Sequence, residues 1–338
     1  MAKISKKMIL NFLYNFFLLK FKGKKEKLKP LFFSYYLTLN CNFNCSYCSF
    51  AKSGATKKPD NKLNTKDVFK ILKIIRKESA DIYFTGGEPL IRSDIVEILK
   101  ECKRLKFKSI FVNTNMSLIH KKMEILDYVT NLVSSLDMLN TEKYAKILGI
   151  PKETVNQVRE NIITCAKLQK EKNFLMTINC VISPDTLKET RKIMGFCLKN
   201  NIGFAVVPAE LDYGEIDPLL KDSKEYKQLI EDIIKQKKKI NISIFGTKKY
   251  LKTILNFEKF NCYPNLIPHV YPNGDILWPC EPLKKFRVNL IKEGSYKKAL
   301  EKSVANQPLP KCSNKCHKAC YIEPSCFLQN PLLLLQEL

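Results

Sequence analysis

The stretch "LFFSYYLTLNCNFNCSYCSF" (residues 31–50) decides how the chain is read. Its first nine residues form an apolar run rich in aromatic side chains, which suits a buried strand. Three cysteines follow at once, Cys41, Cys45 and Cys48, spaced Cys-x3-Cys-x2-Cys. Four thiolates would close a tetrahedral zinc site or fill every iron corner of a cubane cluster. Three leave one position open, and the next cysteine is Cys102. Two readings fit these residues. One is a 4Fe–4S cluster whose fourth iron takes a non-protein ligand. The other is a zinc ion with water in the last position.

Similar apolar runs recur at 81–85, 109–113, 131–136, 174–182 and 203–207. Most intervals between them have helical periodicity, as in "TKDVFKILKIIRKESA" (65–80) and "PKETVNQVRENIITCAKLQK" (151–170). Thr65, and Pro184 and Asp185 after Ser183, carry helix-start chemistry. Strand–helix alternation argues for a parallel sheet. Six such units make the expected fold an α/β, partial (β/α)6 TIM-like barrel with a small Cys-rich C-terminal domain. Barrels of this kind carry their reactive loops at the C-terminal ends of the strands, where residues 41–48 fall. Past residue 240 the pattern changes. Cysteines return at 262, 280, 312, 316, 320 and 326, around turn signals such as "PNGD" (272–275). The expected organisation is an N-terminal segment (1–30), a core (31–240), a second domain (241–330) and an apolar tail, "PLLLLQEL" (331–338).

Over 338 residues the chain is 45% hydrophobic and 27% charged, as expected for a globular protein with a real core. Its 13 cysteines are dense near both ends. With no cleavable secretory signal in view, that clustering favours metal over disulfides in a cytoplasmic protein. The net charge is +25, yet only six of the 58 basic residues are arginine. Nucleic-acid sites favour arginine forks, so nucleic acid is not the expected partner, although the charge suits other anionic surfaces. Residues 8–21, "MILNFLYNFFLLKF", are apolar and flanked by lysines. They fall short of the roughly 20 residues that cross a bilayer. They form either a helix lying in a membrane interface, at the inner face of the membrane, or a helix docked on the protein body.

"CNFNCSYC" (41–48) resembles the signature of the radical S-adenosylmethionine (SAM) superfamily, Cys-x3-Cys-x-aromatic-Cys. "FTGGEPL" (84–90) matches the Gly-Gly-Glu-Pro motif of that family with Gly86, Gly87, Glu88 and Pro89. "NTNM" (113–116) resembles its Thr-Asn-Gly, with Asn115 in place and Met116 replacing the glycine. "SSLD" (134–137) resembles the segment that meets the ribose, which points to Ser135 and Asp137. Asn179 stands where related enzymes place a contact to the methionine carboxylate. The resemblance covers residues 31 to about 210. It implies that Cys41, Cys45 and Cys48 hold a 4Fe–4S cluster whose open iron is chelated by SAM. Tyr47 would lie against the adenine. Glycine lets backbone carbonyls come close to a ligand, so Gly86 and Gly87, with Glu88, would receive the ammonium group. The implied reaction is reductive cleavage of SAM to a 5′-deoxyadenosyl radical and hydrogen abstraction from substrate. A ferredoxin or flavodoxin would supply the electron.

"CYPNLIPHVYPNGDILWPC" (262–280) resembles the opening of the auxiliary-cluster domains called twitch or SPASM. "CSNKCHKACYIEPSC" (312–326) does not reproduce the full SPASM spacing. The expectation is one auxiliary 4Fe–4S cluster held by Cys262, Cys280 and two of Cys312, Cys316 and Cys320. Zinc is the alternative, and His317 can join it; otherwise His317 is expected as an idle surface residue. Cys102, Cys165, Cys180 and Cys197 lie within helix or strand patterns and read as inert buried thiols. The substrate class stays open among small molecules, lipids and peptides. The apolar N-terminal segment tilts it towards a hydrophobic or membrane-associated molecule. A peptide maturase, an RNA-modifying enzyme and a non-enzymatic zinc or iron–sulfur scaffold are the alternatives.

Overall fold

The computed structural model describes residues 5–59, 61–211, 214–239, 244–309 and 316–331. Helix α1 (Lys6–Lys22) precedes β1 (Phe33–Thr38). Helices α2 (Ser49–Lys52) and α3 (Thr65–Glu78) lead to β2 (Asp81–Gly86), and α4 (Ile95–Arg104) leads to β3 (Ser109–Thr114). Strand β4 (Asn131–Ser135) is followed by α5 (Thr141–Leu148), α6 (Lys152–Lys172) and β5 (Leu175–Ile182). Helix α7 (Thr190–Lys199) then leads to β6 (Gly203–Pro208). Each of these six strands pairs in parallel with its neighbours in sequence. The alternating half-barrel expected from the apolar runs is therefore the fold. One unit departs from it: between β3 and β4 the chain makes two 3₁₀ turns, Ile119–Lys121 and Met123–Asp127, instead of a helix.

Burial explains why the runs were legible. Phe33, Tyr35, Leu37, Ile82, Phe84, Ile110 and Val112 are almost wholly shielded and share one core with Val68, Ile71, Leu72 and Ile75 of α3. Burying each such side chain stabilises the fold by about 1.5–3 kcal/mol. The cap of α3 is Asn64, one residue before the expected Thr65: its side-chain oxygen accepts from Asp67 N at 3.0 Å. After Ser183 the chain first makes a Ser183–Thr186 turn, so α7 starts at Thr190 rather than beside Pro184.

Helices α8 (Pro218–Lys221) and α9 (Lys224–Lys239) follow β6; past residue 240 come α10 (Lys248–Asn256) and three short strands: β7 (His269–Val270), β8 (Asp275–Trp278) and β9 (Phe286–Asn289). Helices α11 (Leu290–Glu293), α12 (Tyr296–Asn306) and α13 (Ala319–Gln329) follow. Strand β7 pairs in parallel with β1 through Ser34↔His269 and Tyr35↔Val270, giving a single sheet ordered β6-β5-β4-β3-β2-β1-β7-β8-β9. The boundary expected near residue 240 is thus no break in the core. An open half-barrel would leave β1 with unpaired backbone groups, and β7 takes them up. Ile254, Val270, Ile276 and Leu290 join the same core as the six strands.

Helix α1 is docked along one face. Asn11 donates to the carbonyls of Pro30 and Glu78 at 2.8 and 2.9 Å, and Asn15 exchanges two 2.7 Å bonds with the Lys29 backbone. Phe12 and Leu18 pack with Leu28, Leu31, Tyr263, Leu266, Tyr321 and Leu328. The opposite face is exposed. No helix among the described residues is long and apolar enough to cross a membrane.

Candidate active site

The cluster loop takes its shape from two neighbours. Helix α5 ends in carbonyls without intrahelical partners. Asn44 N donates to Leu148 O and Ser46 N to Ile147 O, each at 2.9 Å. On the other side, Gly87 N donates to Thr38 O and Glu88 N to Asn40 O, both at 2.8 Å. A Cβ on Gly86 would lie 2.2 Å from Thr38 O, and one on Gly87 only 2.0 Å from Asn40 O. The two glycines are therefore required first by the contact between the β2 end and the cluster loop. Both also line the cavity that opens there.

That cavity, about 160 Å³, is bordered by Cys41, Cys45, Tyr47 and Cys48 from the loop, Gly86 and Gly87 from β2, Asn113 to Asn115 from β3, and Ser135 from β4. Burial pushes the Cys41 thiol up to about 11 and the Cys45 thiol up to about 12. Both are protonated at neutral pH until a metal displaces the proton. Asn115 braces the loop, donating to Asn42 Oδ1 at 2.9 Å and lying 3.9 Å from Cys41 Sγ. Asn179, half-buried, stands opposite Ser135 in the β4–β5 register.

Glu88 does not face this cavity. It is fully buried and accepts from Leu90 N (2.9 Å), Thr114 Oγ1 (2.8 Å) and Asn115 N (2.7 Å). Burial raises its carboxyl to about 7 despite those donors. The ammonium contact expected of it is replaced by a bond that ties the end of β2 to the end of β3. Pro89 is buried beside it as the first residue of a 3₁₀ turn. Asp137 is likewise turned inward, accepting from Tyr47 OH at 2.6 Å and Val181 N at 2.7 Å. Burial lifts it to about 6. Its work is to fix Tyr47 rather than to present a carboxylate to the cavity. Met116 takes φ +65°, the left-handed conformation of the glycine it replaces.

Among the lining residues that the motif reading did not name are Asn113 and Tyr144. Asn113 has a buried Oδ1 with no hydrogen-bond partner, aimed from the inward face of β3. Strand alternation from Val112, which faces the core, is the signal that would have found it. Tyr144 of α5 also borders the cavity and donates toward Asp137, and no sequence pattern marks it.

A parallel half-barrel that gathers thiols, glycines and amides at the C-terminal rim of its strands is an α/β enzyme that grips a cofactor there. The family is the Radical SAM superfamily, whose model matches residues 35–197, and this chain belongs to it. The probable GTP 3′,8-cyclase of Methanococcus vannielii is 30% identical over 233 residues, 66% of this chain and 73% of that one. The GTP 3′,8-cyclase of Clostridium perfringens is 30% identical over 233 residues, 64% and 67% of the two chains. Among solved structures, Streptococcus suis SuiB bound to precursor peptide SuiA shares the fold with a TM-score of 0.64 at 21% identity, over 95% of this chain and 76% of that one. The enzyme anSMEcpe with bound AdoMet gives a TM-score of 0.61 at 18% identity, over 90% and 98%. The protein is a radical SAM enzyme, using a 4Fe–4S cluster and SAM. The residues fit both. Three thiols border one cavity, and the orphaned Asn113 oxygen offers an acceptor to a polar ligand.

The second cysteine group gathers around α13. Cys262, Cys280 and Cys320 pack against the cluster that holds Tyr263 and Tyr321. Cys316 lies next to Gly214, where a Cβ would come within 2.5 Å of its sulfur. Cys312 lies outside the described residues. Burial raises Cys320 well above the usual thiol range. Among the described residues no three His, Cys, Asp or Glu side chains converge on a single ion site. His317 is not at the surface: it is 3% exposed, set edge-on to the Phe257 ring at 5.6 Å. It stands just before α13, with the Phe260 ring also within 6.4 Å. Cys102, Cys165, Cys180 and Cys197 are fully buried, as expected.

Proposed function

We propose that this enzyme uses the radical generated at the β-strand rim to take a hydrogen atom from a hydrophobic substrate held inside the half-barrel, with a second iron–sulfur cluster at the α13 cysteines. The observation that carries the substrate class is the inward face of the sheet below the cavity. Tyr83 and Phe111 stack there with centroids 5.7 Å apart, and Tyr36 meets Tyr271 at 5.0 Å and Phe50 at 5.8 Å. A charged cluster interrupts this wall, and His269 lies against Tyr36 with centroids 5.7 Å apart. Lys318 pairs with Glu210 and Glu281, each at 3.1 Å. Burial opposes its charge, but the two carboxylates outweigh burial and hold its pKa well above the usual range.

When bound, the cluster and SAM supply the electron transfer and the 5′-deoxyadenosyl radical. The protein's own part is positioning. Cys41, Cys45 and Cys48 give up their protons to become ligands. Asn113, Ser135 and Asn179 line up along the rim as hydrogen-bonding partners for the amino-acid and ribose parts of SAM. Asp137 locks Tyr47 at the adenine side. Cys262, Cys280, Cys316, Cys320 and Cys312 are the pool of auxiliary ligands. The electron comes from a small donor protein such as a ferredoxin or flavodoxin.

The test is anaerobic reconstitution with dithionite and SAM, reading 5′-deoxyadenosine. A lipid extract is expected to stimulate its formation, and an aqueous metabolite fraction is not. A second reading rests on the relatives named GTP 3′,8-cyclase. If GTP stimulates turnover and lipid does not, the hydrophobic reading is overturned in favour of a nucleotide. Absence of 5′-deoxyadenosine with lipid and with GTP alike would overturn both substrate readings.

A further inference from the structure

Eight large apolar side chains stand exposed among the described residues, and six of them lie on α1: Ile9, Leu10, Leu13, Tyr14, Phe17 and Phe21. At 100° per residue they occupy an arc of about 140°. The arc is continuous, for Phe17 and Phe21 stack with centroids 6.1 Å apart. The helix cannot roll to hide it, because Asn11 and Asn15 are bonded to the body on the other side. Residues 5–29 hold eight lysines against one glutamate. An apolar arc bordered by cations complements one partner above others, an anionic bilayer surface.

We propose that α1 is a membrane-docking element, with Leu10, Leu13, Phe17 and Phe21 set among the lipid chains and the lysines on anionic headgroups. The attachment of α1 then fixes the orientation of the enzyme. Asn11 holds the carbonyls of Pro30 and Glu78, and Ser5 bonds Asp81, the first residue of β2. These mark the N-terminal rim of the strands. The SAM cavity lies at the opposite rim, where Gly86 ends β2. Six residues of strand separate the two rims by about 20 Å. Docking therefore turns the SAM cavity away from the bilayer and places the α13 cysteines beside it, since Phe12 and Leu18 pack with Tyr263 and Tyr321. This inference rests on the hydrophobic-substrate reading only for its purpose; the docking itself needs no turnover.

The test is flotation of the reconstituted holoenzyme with vesicles of equal phosphatidylglycerol and phosphatidylcholine, at low and at high salt. Binding is expected, and Phe17→Glu with Phe21→Glu should cut the bound fraction at least tenfold while iron content and Tm stay unchanged. No flotation at low salt overturns the proposal. Two other occupants are separated in the same series. If an environment-sensitive dye on Phe17→Cys is already shielded without vesicles, and deleting residues 332–338 exposes it, the tail of the chain covers the arc and the proposal fails. If sedimentation shows a dimer that Phe17→Glu dissociates, the arc is a self-association face and the proposal fails. Lipid-stimulated 5′-deoxyadenosine without flotation would sink docking alone. Flotation without such stimulation would sink the substrate reading alone.

Discussion

Met116 buries its whole side chain while its backbone sits at φ +65°. The backbone strain costs about 1–3 kcal/mol, and Asn161 steadies the turn by donating to Met116 O at 2.7 Å. Met116→Gly would relieve that strain but remove a fully buried side chain, a loss of about 2–5 kcal/mol. The second effect wins, so thermal unfolding of the variant should show a net loss of about 1–3 kcal/mol. An unchanged or raised Tm would refute this. Tyr47 makes a second prediction. Asp137 is raised to about 6 by burial, and the Tyr47 hydroxyl is the strongest group holding it down. A raised carboxyl adds stability that is full below its unfolded value near 4 and lost as pH rises through 6. Tyr47→Phe removes a donor and lifts Asp137 further. The variant should lose about 1–3 kcal/mol, and more at pH 8 than at pH 5, by about 1.4 kcal/mol per unit of added shift. Urea midpoints at the two pH values measure it; equal losses would show that Asp137 does not depend on this bond. At this scale the sequence named candidate residues for the site but not which way they point. Glu88 and Asp137 match motif positions, yet both carboxylates are spent on backbone and hydroxyl donors.

At the scale of elements, the β1 end, the cluster loop and the β2 end form one joint. Alanine at Gly86 or Gly87 would place a Cβ within about 2.2 Å of a carbonyl oxygen, far inside van der Waals contact. Either variant is expected to lose most of the iron held at Cys41, Cys45 and Cys48, read by iron content and EPR, even where the barrel still folds. Full loading would mean that the glycines serve only the ligand. The six barrel strands were legible because parallel strands buried on the helix side read as apolar runs. Strand β7 was not: two residues, His269 and Val270, carry no periodicity, and their place is set by the edge of β1. The same limit hid the surroundings of His317, whose burial comes from Phe257 and Phe260 on a distant segment.

For the whole molecule, the two cysteine groups predict separable iron. A Cys41/Cys45/Cys48→Ala triple variant should keep iron and an EPR signal from the α13 group while losing all SAM cleavage. Complete loss of iron would remove the auxiliary cluster from the account. The motifs made the family legible because they hold a common cofactor. They were silent on substrate: Tyr36, Tyr83, Phe111 and Lys318, on which the proposed reading rests, follow no shared spacing.

The contact of Gly87 N with Thr38 O and of Glu88 N with Asn40 O also sets an order of maturation. The socket for the cluster exists only after two segments about fifty residues apart have met in the sheet. A chain starved of iron is then expected to stay folded, held by the core that runs from Phe33 to Cys326. Supplying iron and sulfide later should restore it without a cycle of unfolding.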